Sequence, residues 1–403
     1  MSNQQGVASP CSYKLKMTGI YIHVPFCIQR CHYCDFYSTL RLKDRGSFTD
    51  CIVDEILLRN DFIKNKNVDT IYFGGGTPSL LSPDSISAVI KKIYSCFNVQ
   101  DDAEITMELN PDDMNSAYLS ELAKTGVNRL SVGIQSFLDD DLKLMNRRHN
   151  SNEALIAVDL ARKSGFESIS IDLIYGLPNQ ELSAWKKNLE IATQMPVEHI
   201  SAYHLIYEKG TNFYKWLKDG KLNEVRDQQS LEMFGMAIDI LEENGFEQYE
   251  ISNFARDKKY SRHNTKYWFG EEYLGLGPSA HSYNGEIRQW NIANLSKWMG
   301  EDTRCKIQDT GFKMQGQKTK REEENIDLVT RRNEMIMTRL RTMWGIQEKN
   351  FTEMFGKDSW SELLDLSSGY IKSGLLEQNG SGLVLSKEGK FMADGIISDL
   401  FLI

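Results

Sequence analysis

The sequence has no long run of apolar side chains and no excess of positive charge across its 403 residues. A membrane-spanning helix needs about 20 predominantly apolar residues in a row, so we expect no integral membrane segment. The formal net charge of −9 argues against nucleic acid or acidic lipid surfaces as general partners. The first 18 residues are polar and lack the apolar core of a secretory signal.

Cysteine is also scarce, with seven residues in the chain. An odd number, three of them crowded together and four scattered, does not fit a disulfide framework. A reducing cytoplasm is therefore the expected setting. With 41% hydrophobic residues, a chain of this length can bury a large core, and the length favours two domains.

The crowded cysteines are Cys27, Cys31 and Cys34, which follow an apolar, strand-like run at C-x3-C-x2-C spacing. A loop this short can direct three sulfur atoms toward one point. Thiolates are soft ligands that suit iron–sulfur clusters and zinc. A four-iron cluster held by three cysteines keeps one iron open to a small molecule, and this is our functional hypothesis for the loop.

Two other interpretations of these cysteines stay open at this point. One is zinc, because His23, His32 or Asp35 could complete a four-ligand site, although no second half-site of the usual paired spacing follows downstream. The other is that the cysteines are only small buried hydrophobic residues. Three within eight residues is a much higher density than chance gives.

A strand-then-helix alternation runs from Gly19 to about Ala255. The predicted strands of these units are 19–26, 70–74, 104–110, 129–135, 168–175 and 199–205, and the clearest helices between them are 48–63, 82–97, 152–164 and 182–193. A further strand with alternating side chains is predicted at 247–255. Six such units in series predict an α/β fold, a partial (β/α)6 barrel with its helices outside. In parallel sheets of this kind, ligands bind at the carboxyl ends of the strands.

Glycine and polar residues follow the second and third predicted strands. Gly75, Gly76 and Thr77 belong to a Gly-Gly-Gly-Thr-Pro turn, where glycine lets the backbone approach a ligand closely. Glu108 ends the next strand, and its carboxylate could bind hydroxyl or ammonium groups. A tight turn and a solvated or helix-capping carboxylate are the plain alternatives. Their position beside the thiol loop favours a cofactor contact.

The fourth and fifth units add three polar residues. Gln135 ends a strand, Arg147 lies on the helix after it, and Asp172 lies within an apolar strand. Because an unpaired carboxylate inside an apolar strand is costly, we favour a functional role for Asp172. Taken alone, Arg147 would be surface charge.

His263 opens a His-Asn-Thr-Lys-Tyr-Trp motif later in the chain. A histidine beside two aromatic side chains is most often a packing residue with satisfied hydrogen bonds. The alternative is a metal ligand, for instance to a haem iron, with the aromatic side chains lining the macrocycle.

The last quarter of the chain predicts a separate domain. Residues 301–325 are rich in charged side chains and are interpreted as a linker between domains at 19–300 and 326–403, with 1–18 as an N-terminal arm. Helices, a hairpin at 375–385 and a final helix at 387–400 resemble a winged helix. A DNA-reading domain should be basic, but residues 326–403 have nine Lys and Arg against eleven Asp and Glu. We interpret this domain as a packing or substrate-covering module.

The cysteine spacing, followed one strand later by Gly-Gly-Gly-Thr-Pro, resembles the radical S-adenosyl-L-methionine (SAM) superfamily. Four further segments are similar to the oxygen-independent coproporphyrinogen III oxidase family: Tyr-Ile-His-Val-Pro-Phe-Cys at 21–27, Glu-Leu-Asn-Pro at 108–111, Val-Gly-Ile-Gln-Ser at 132–136 and Asp-Leu-Ile-Tyr-Gly-Leu-Pro at 172–178. The likeness runs from about Gly19 to the C-terminus.

Two branches of that family differ at positions present here. The decarboxylating dehydrogenase has a fourth cysteine two positions after the third and a longer N-terminal arm, whereas this sequence has Phe36 there and 20 residues before Tyr21. The His-Asn-x-x-Tyr-Trp motif is typical of the haem chaperone branch. The resemblance therefore implies a haem chaperone that binds haem and transfers it to an acceptor protein.

Two alternative functions remain. One is oxygen-independent coproporphyrinogen III dehydrogenase, which decarboxylates its substrate to protoporphyrinogen IX, so enzyme activity stays open. The other, from the residues alone, is a zinc-bearing winged-helix regulator. The acidic balance of residues 326–403 and the missing second half-site count against the regulator.

The resemblance also implies cofactors, partners and residue roles. The implied cofactors are a [4Fe-4S] cluster, SAM and haem, and the implied partners are an electron donor and a haem acceptor. The cluster and SAM roles fall on Cys27, Cys31 and Cys34 for the cluster, on Gly75, Gly76, Thr77 and Glu108 for SAM, and on Tyr21 and Tyr33 for packing beside both. Positions that contact a second SAM in the decarboxylase are matched by Gln135, Arg147 and Asp172, and the best candidate haem contact is His263.

Overall fold

A computed structural model describes residues 17–300 and 321–401. Residues 1–16 of the predicted N-terminal arm and 301–320 of the predicted linker lie outside the described residues, while Thr18 of the arm belongs to β1. The strands are β1 Thr18–Val24, β2 Asn67–Gly75, β3 Asn98–Leu109, β4 Arg129–Gln135, β5 Ser168–Tyr175, β6 His199–His204, β7 Glu247–Glu250, β8 Asn253–Ala255, β9 Tyr273–Leu276, β10 His281–Tyr283, β11 Ile287–Asn291, β12 Arg321–Asn325, β13 Ile346–Gln347, β14 Leu376–Asn379 and β15 Gly382–Leu385.

The helices lie between these strands and after them. They are α1 Arg45–Arg59, α2 Pro83–Cys96, α3 Ser116–Leu122, α4 Asp139–Leu144, α5 Ser151–Lys163, α6 Leu182–Gln194, α7 Asn212–Lys218, α8 Asp227–Glu243, α9 Arg262–Phe269, α10 Leu295–Trp298, α11 Leu328–Leu340, α12 Glu348–Phe355, α13 Lys357–Lys372, α14 Lys387–Lys390 and α15 Ala393–Asp399.

One twelve-stranded sheet forms most of the molecule, in the order β12-β11-β10-β9-β1-β2-β3-β4-β5-β6-β8-β7. Strands β1 to β6 pair in parallel in chain order, which confirms the predicted partial (β/α)6 barrel. The apolar residues of these strands are buried on both faces, as in parallel sheets covered by helices. Their carboxyl ends therefore lie along one rim.

The sequence did not predict the strand next to β1. Strand β9 pairs with β1 in parallel, and β10, β11 and β12 extend the sheet by antiparallel pairing. Residues 321–325, predicted as part of the linker, form β12 and belong to the sheet. As an edge strand, β12 carries exposed charged side chains, which discourage pairing with other chains.

Three predicted elements differ from the structure. The single strand predicted at 247–255 is a hairpin of β7 and β8. Two side chains stabilise the turn between them: Gln248 donates to the Ile251 carbonyl at 2.9 Å, and Glu250 accepts from the Ser252 N–H at 3.2 Å. Helix α5 is capped by Asn150, in a capping box with Glu153, two residues before the expected start. The final predicted helix is two short helices, α14 and α15.

The C-terminal part has its own core around a three-stranded sheet, in the order β13-β15-β14. The predicted hairpin is present as β14 and β15. This part joins the large sheet through main-chain bonds at its inner edge: the Ile251 N–H donates to the Arg341 carbonyl at 3.1 Å, and the Met343 N–H donates to the Tyr249 carbonyl at 3.0 Å.

A buried carboxylate ties α1 to the sheet extension. Glu55 accepts the Gly277 N–H at 2.8 Å, the Asn291 side-chain amide at 2.8 Å and the Trp298 indole N–H at 3.2 Å. The guanidinium of Arg59, also buried, lies 3.6 Å from the same carboxylate. Glu55 therefore stabilises the contact between α1 and the sheet extension, because removing its carboxylate would leave the buried donors around it unsatisfied.

We expect Glu55→Ala to lower the free energy of unfolding by about 3–5 kcal/mol, because Arg59 would then be a buried cation without its carboxylate. Urea unfolding measures the change. The matched control is Glu121→Ala, whose side chain is 59% exposed and pairs with Lys124 on the surface, and there we expect a change of about 1 kcal/mol or less. Equal stability of the two variants would contradict the role given to Glu55.

Candidate functional site

The loop that carries the three cysteines starts where β1 ends and is closed by its own main chain. The Cys27 N–H donates to the Thr39 carbonyl at 3.0 Å, and the Thr39 N–H donates to the Pro25 carbonyl at 2.7 Å. Inside this closure, Arg30 donates to the Ser38 carbonyl at 2.6 Å. The loop ends are therefore fixed without any help from the thiols.

A second set of bonds fixes the loop on the end of α4. The His32 N–H donates to the Met145 carbonyl at 3.1 Å, and the His32 ring nitrogen Nδ1 bonds to the Leu144 carbonyl at 3.1 Å. The Asn146 carbonyl accepts from Gln29 at 2.9 Å, and its side chain donates to the Arg30 carbonyl at 2.8 Å. The loop thus lies between β1 and α4 in one position.

The three thiols are partly buried and have polar donors beside them. Thr77 Oγ1 donates to Cys27 Sγ at 3.5 Å, and Arg147 Nη1 donates to Cys31 Sγ at 3.4 Å. Burial raises the pKa of the Cys27 thiol, and burial with neighbouring thiols raises the pKa of Cys34 to about 12. Three thiols in such a place become thiolates when a metal centre compensates their charge. This donor set fits an iron–sulfur cluster.

The zinc alternative finds no fourth ligand in the histidines. Both ring nitrogens of His23 are bonded, to the Tyr21 hydroxyl at 3.2 Å and to the Tyr37 carbonyl at 2.9 Å. His32 faces α4, as described above.

A cavity of about 460 Å³ extends from the thiols into the barrel. Eleven of the thirteen predicted site residues line it: Cys27, Cys31, Cys34, Tyr33, Gly75, Gly76, Thr77, Glu108, Gln135, Arg147 and Asp172. They come from the rim formed by the carboxyl ends of the strands, which is the position that the parallel sheet predicts.

The glycines of the second strand end are required by close contact with β1 and the cysteine loop. A Cβ at Gly75, whose φ is +108°, would lie 2.6 Å from the His23 ring. A Cβ at Gly76 would lie 2.8 Å from the Phe26 carbonyl oxygen, and the Gly76 N–H donates to the Val24 carbonyl at 2.8 Å. The glycines bring the turn against the loop, so that Thr77 reaches Cys27.

Glu108 is held at the edge of the cavity by two hydrogen bonds. The Tyr72 hydroxyl donates to Oε1 at 2.9 Å, and the Gly75 N–H donates to Oε2 at 3.1 Å. Burial, with the nearby negative charge of Asp172, raises the pKa of Glu108 to about 7 even though both bonds favour the carboxylate. A buried carboxyl group with a pKa shifted this far from its ordinary value is typical of a functional site. Sequence reasoning missed Tyr72, although it faces inward two positions before Gly74.

Arg147 is not a surface residue, and it does not lie on a helix as predicted but between α4 and α5. Its Nη2 donates to Asn110 Oδ1 at 2.7 Å and to the Gly133 carbonyl at 2.6 Å, while Nη1 reaches Cys31. Arg147 thus joins the cysteine loop to the ends of β3 and β4. Sequence reasoning also gave no role to Asn110, which directly follows β3 and orients Arg147.

Gln135 and Asp172 face the inner part of the cavity. Gln135 has φ of 71°, a strained conformation for a residue other than glycine, of the kind found at binding sites. Burial raises the pKa of Asp172, whose carboxylate accepts from Ser131 at 3.5 Å. Both residues therefore present polar groups to whatever occupies this space.

His263 and Tyr21 do not line the cavity. His263 is buried, and its two ring nitrogens are bonded to Thr70 Oγ1 and to the Tyr267 hydroxyl, at 2.9 Å each. Burial lowers the pKa of His263 to about 3, so the ring is neutral. Both ring nitrogens thus have partners within the protein, as in a packing histidine with satisfied hydrogen bonds. The Tyr21 ring stacks beside Tyr72.

A parallel partial barrel with a three-thiol loop at its carboxyl rim defines a class of protein, the radical SAM class. The sequence model of the Radical SAM superfamily matches residues 21–192, and that of the HemN C-terminal domain matches residues 326–392. Membership of this superfamily implies a [4Fe-4S] cluster and SAM as cofactors. No helix of the two described ranges combines the length and apolar composition needed to cross a membrane.

The curated relatives narrow the class. The chain is 33% identical to the heme chaperone HemW of Bacillus subtilis, over 94% of this chain and 98% of that one. It is 32% identical to the mitochondrial radical S-adenosyl methionine domain-containing protein 1 of Danio rerio, over 95% of this chain and 86% of the relative. The chain belongs to the HemW family of radical SAM proteins.

A solved structure supports the fold. The coproporphyrinogen III oxidase HemN of Escherichia coli, a radical SAM enzyme, superposes with a TM-score of 0.79 at 24% sequence identity, over 97% of this chain and 91% of that one. The likeness includes the C-terminal part as well as the barrel.

The raised pKa of Glu108 predicts that ionisation of this carboxyl lowers the free energy of unfolding as the pH rises. Its folded pKa of about 7 lies above the ordinary 4.5, so the carboxyl contributes stability that is present below pH 4.5 and lost as the pH rises through 7. We expect cluster-free Glu108→Gln to be more stable than wild type at pH 8 by about 1–3 kcal/mol, and the difference to shrink toward pH 5. Urea unfolding at both pH values measures it. With Glu121→Gln as the exposed control, a gain that does not change with pH would contradict the titration of Glu108.

Proposed function

We propose that this protein is a haem chaperone, which binds haem and transfers it to an acceptor protein. The observation that carries the proposal is the likeness to the heme chaperone HemW along almost the whole of both chains. Phe36 supports it: this residue stands where the dehydrogenase branch has a fourth cysteine, and its side chain is 64% exposed at the mouth of the cavity. An apolar ring there cannot act as the missing thiol.

For the cofactors, we propose that Cys27, Cys31 and Cys34 hold the [4Fe-4S] cluster. Gly75, Gly76 and Thr77 would contact the methionine end of SAM. Support comes from the loop closure and from the contact of Thr77 with Cys27. When bound, cluster and SAM supply one-electron chemistry that the side chains lack.

Glu108 and Arg147 have different parts in this proposal. Glu108, ionised above pH 7, would accept hydrogen bonds from the polar groups of SAM while Tyr72 and Gly75 hold it in place. Arg147 is a positioning residue, because its guanidinium is already bonded to the cysteine loop, Asn110 and the Gly133 carbonyl. Gln135 and Asp172 remain candidate contacts for a second ligand in the cavity.

The alternative function is the oxidative decarboxylation of coproporphyrinogen III. The specific observation in its favour is the fold shared with HemN, including the C-terminal part. The cavity also continues beyond the thiols to Gln135 and Asp172, the positions that match contacts of a second SAM in the decarboxylase. An assay for the decarboxylation of coproporphyrinogen III is therefore needed to distinguish this enzyme activity from the chaperone function.

The kinds of partner follow from the proposal. A haem carrier needs an acceptor protein, and a reducible cluster needs an electron donor. The cytoplasmic setting stays a prediction, since the Danio rerio relative has a mitochondrial name.

We expect Cys31→Ala to abolish the brown absorbance of the reconstituted protein, because it removes one of three cluster ligands and frees Arg147 Nη1. Iron and sulfide content per chain measure the loss. The control is Cys96→Ala, a partly buried thiol on α2 that contacts Ser95. Full iron loading of Cys31→Ala would remove this residue from the ligand set.

A single anaerobic assay separates the two functions. Protein with an intact cluster receives SAM, a strong reductant and coproporphyrinogen III, and the products are weighed by mass spectrometry. We expect no decarboxylated product, because Phe36 replaces the fourth cysteine. We also expect the same protein to bind haem in an absorbance titration. Protoporphyrinogen formation without haem binding would reverse the assignment.

A further inference from the structure

We propose that haem binds in a second cavity, between the large sheet and the C-terminal helices. This inference rests on the proposed chaperone function and gives that function a place. The cavity, called here the seam cavity, has a volume of about 240 Å³. Its two walls are Tyr267, Tyr273 and Tyr283 on one side and Met335, Met337 and Met354 on the other.

The tyrosine wall offers flat aromatic surface. Tyr267 and Tyr273 pack edge to face with ring centroids 4.7 Å apart, and Tyr283 continues the row 6.5 Å from Tyr273. The Tyr267 hydroxyl is turned away from the cavity by its bond to His263. His263 is therefore a positioning residue, which presents the side of the Tyr267 ring to the ligand and does not touch the ligand itself.

The methionine wall comes from α11 and α12. Met337 and Met354 are 38% and 49% exposed, an unusual state for large apolar side chains, while Met335 is buried behind them. Thioether side chains are flexible and polarisable, and they pack well on aromatic rings. A flat macrocycle between this wall and the tyrosines would cover apolar surface that is now exposed to water. Methionine is also a side chain that binds haem iron.

The charges at the seam cavity suit a carboxylate-bearing ligand. Arg331 donates to the Gly285 carbonyl at 2.7 Å, while its buried Nε has no hydrogen-bond partner among the described residues. Arg288 and Arg339 also line the cavity, although Arg288 already donates to Glu324 and Glu334 and Arg339 to the Phe269 carbonyl. The lining carboxylates already have cations: Glu334 pairs with Arg288 at 2.8 Å, and Glu271 pairs with Lys266 at 2.7 Å.

The size of the seam cavity indicates how haem would sit. Sites that enclose a drug-sized ligand measure about 300–1,000 Å³, and the seam cavity is smaller and open to solvent. A haem would enter by one edge, with its opposite edge outside. This arrangement suits a carrier, because an acceptor protein can reach the exposed edge while the haem is still bound.

The test is a haem titration of the cluster-loaded full-length chain, followed by quenching of intrinsic fluorescence. We expect Met354→Glu and Arg331→Gln to weaken haem binding at least about tenfold, since the first adds a negative charge to an apolar wall and the second removes a cation. Met392→Glu is the matched control, because Met392 is 56% exposed and does not line the seam cavity. Phe36→Glu reports on the larger cavity. Circular dichroism checks the fold of each variant.

The outcomes separate this inference from the proposed function. Weakened binding in Met354→Glu and Arg331→Gln, with normal binding in Met392→Glu and Phe36→Glu, supports the seam cavity. Wild-type affinity in Met354→Glu and Arg331→Gln overturns the seam cavity alone. A loss confined to Phe36→Glu does the same and places haem at the mouth of the larger cavity. A wild-type chain that binds no haem overturns the proposed function itself.

Discussion

The structure depends on how closely main chains pack around the carboxyl end of β1. This strand pairs in parallel with β2 on one side and β9 on the other. Gly75, Gly76 and Gly277 surround its last residues, and a Cβ at Gly277 would lie 2.5 Å from the His23 carbonyl oxygen. Only backbone without side chains fits there. The cysteine loop leaves this point, so its position is inherited from the packing of the sheet.

The parallel core could be predicted from sequence because its strands are apolar on both faces and separated by helices. The bounds predicted for β4 and β5 agree with the structure to the residue. The pairing of β9 with the other side of β1 could not be predicted. The two strands are about 250 residues apart in the sequence, and local pattern gives no information on such pairing. Likewise, the alternation of apolar and polar side chains along 247–255 does not distinguish one strand from two short strands joined by a tight turn.

The candidate site was predictable where a residue type is unusual in its place. Three thiols in a short loop, a glycine triplet and a carboxylate in an apolar strand all stand out from their surroundings. Arg147 does not, because an arginine in a polar segment usually faces solvent, and only the folded chain shows it partly buried against Cys31. For His263, the residues favoured a packing histidine and the resemblance made it a candidate haem contact. The fold satisfies both of its nitrogens.

The double closure of the cysteine loop has a consequence for the maturation of the protein. Main-chain bonds at the loop ends and to Met145, with side-chain bonds to Leu144 and Asn146, hold the loop, and none of these bonds uses a thiol. The chain can therefore fold first and receive its inorganic centre afterwards, unlike small zinc domains that collapse only around their metal. Oxidative loss of the centre would leave a folded, refillable protein instead of an unfolded one. Repair would then require iron and sulfide delivery but no new synthesis of the chain.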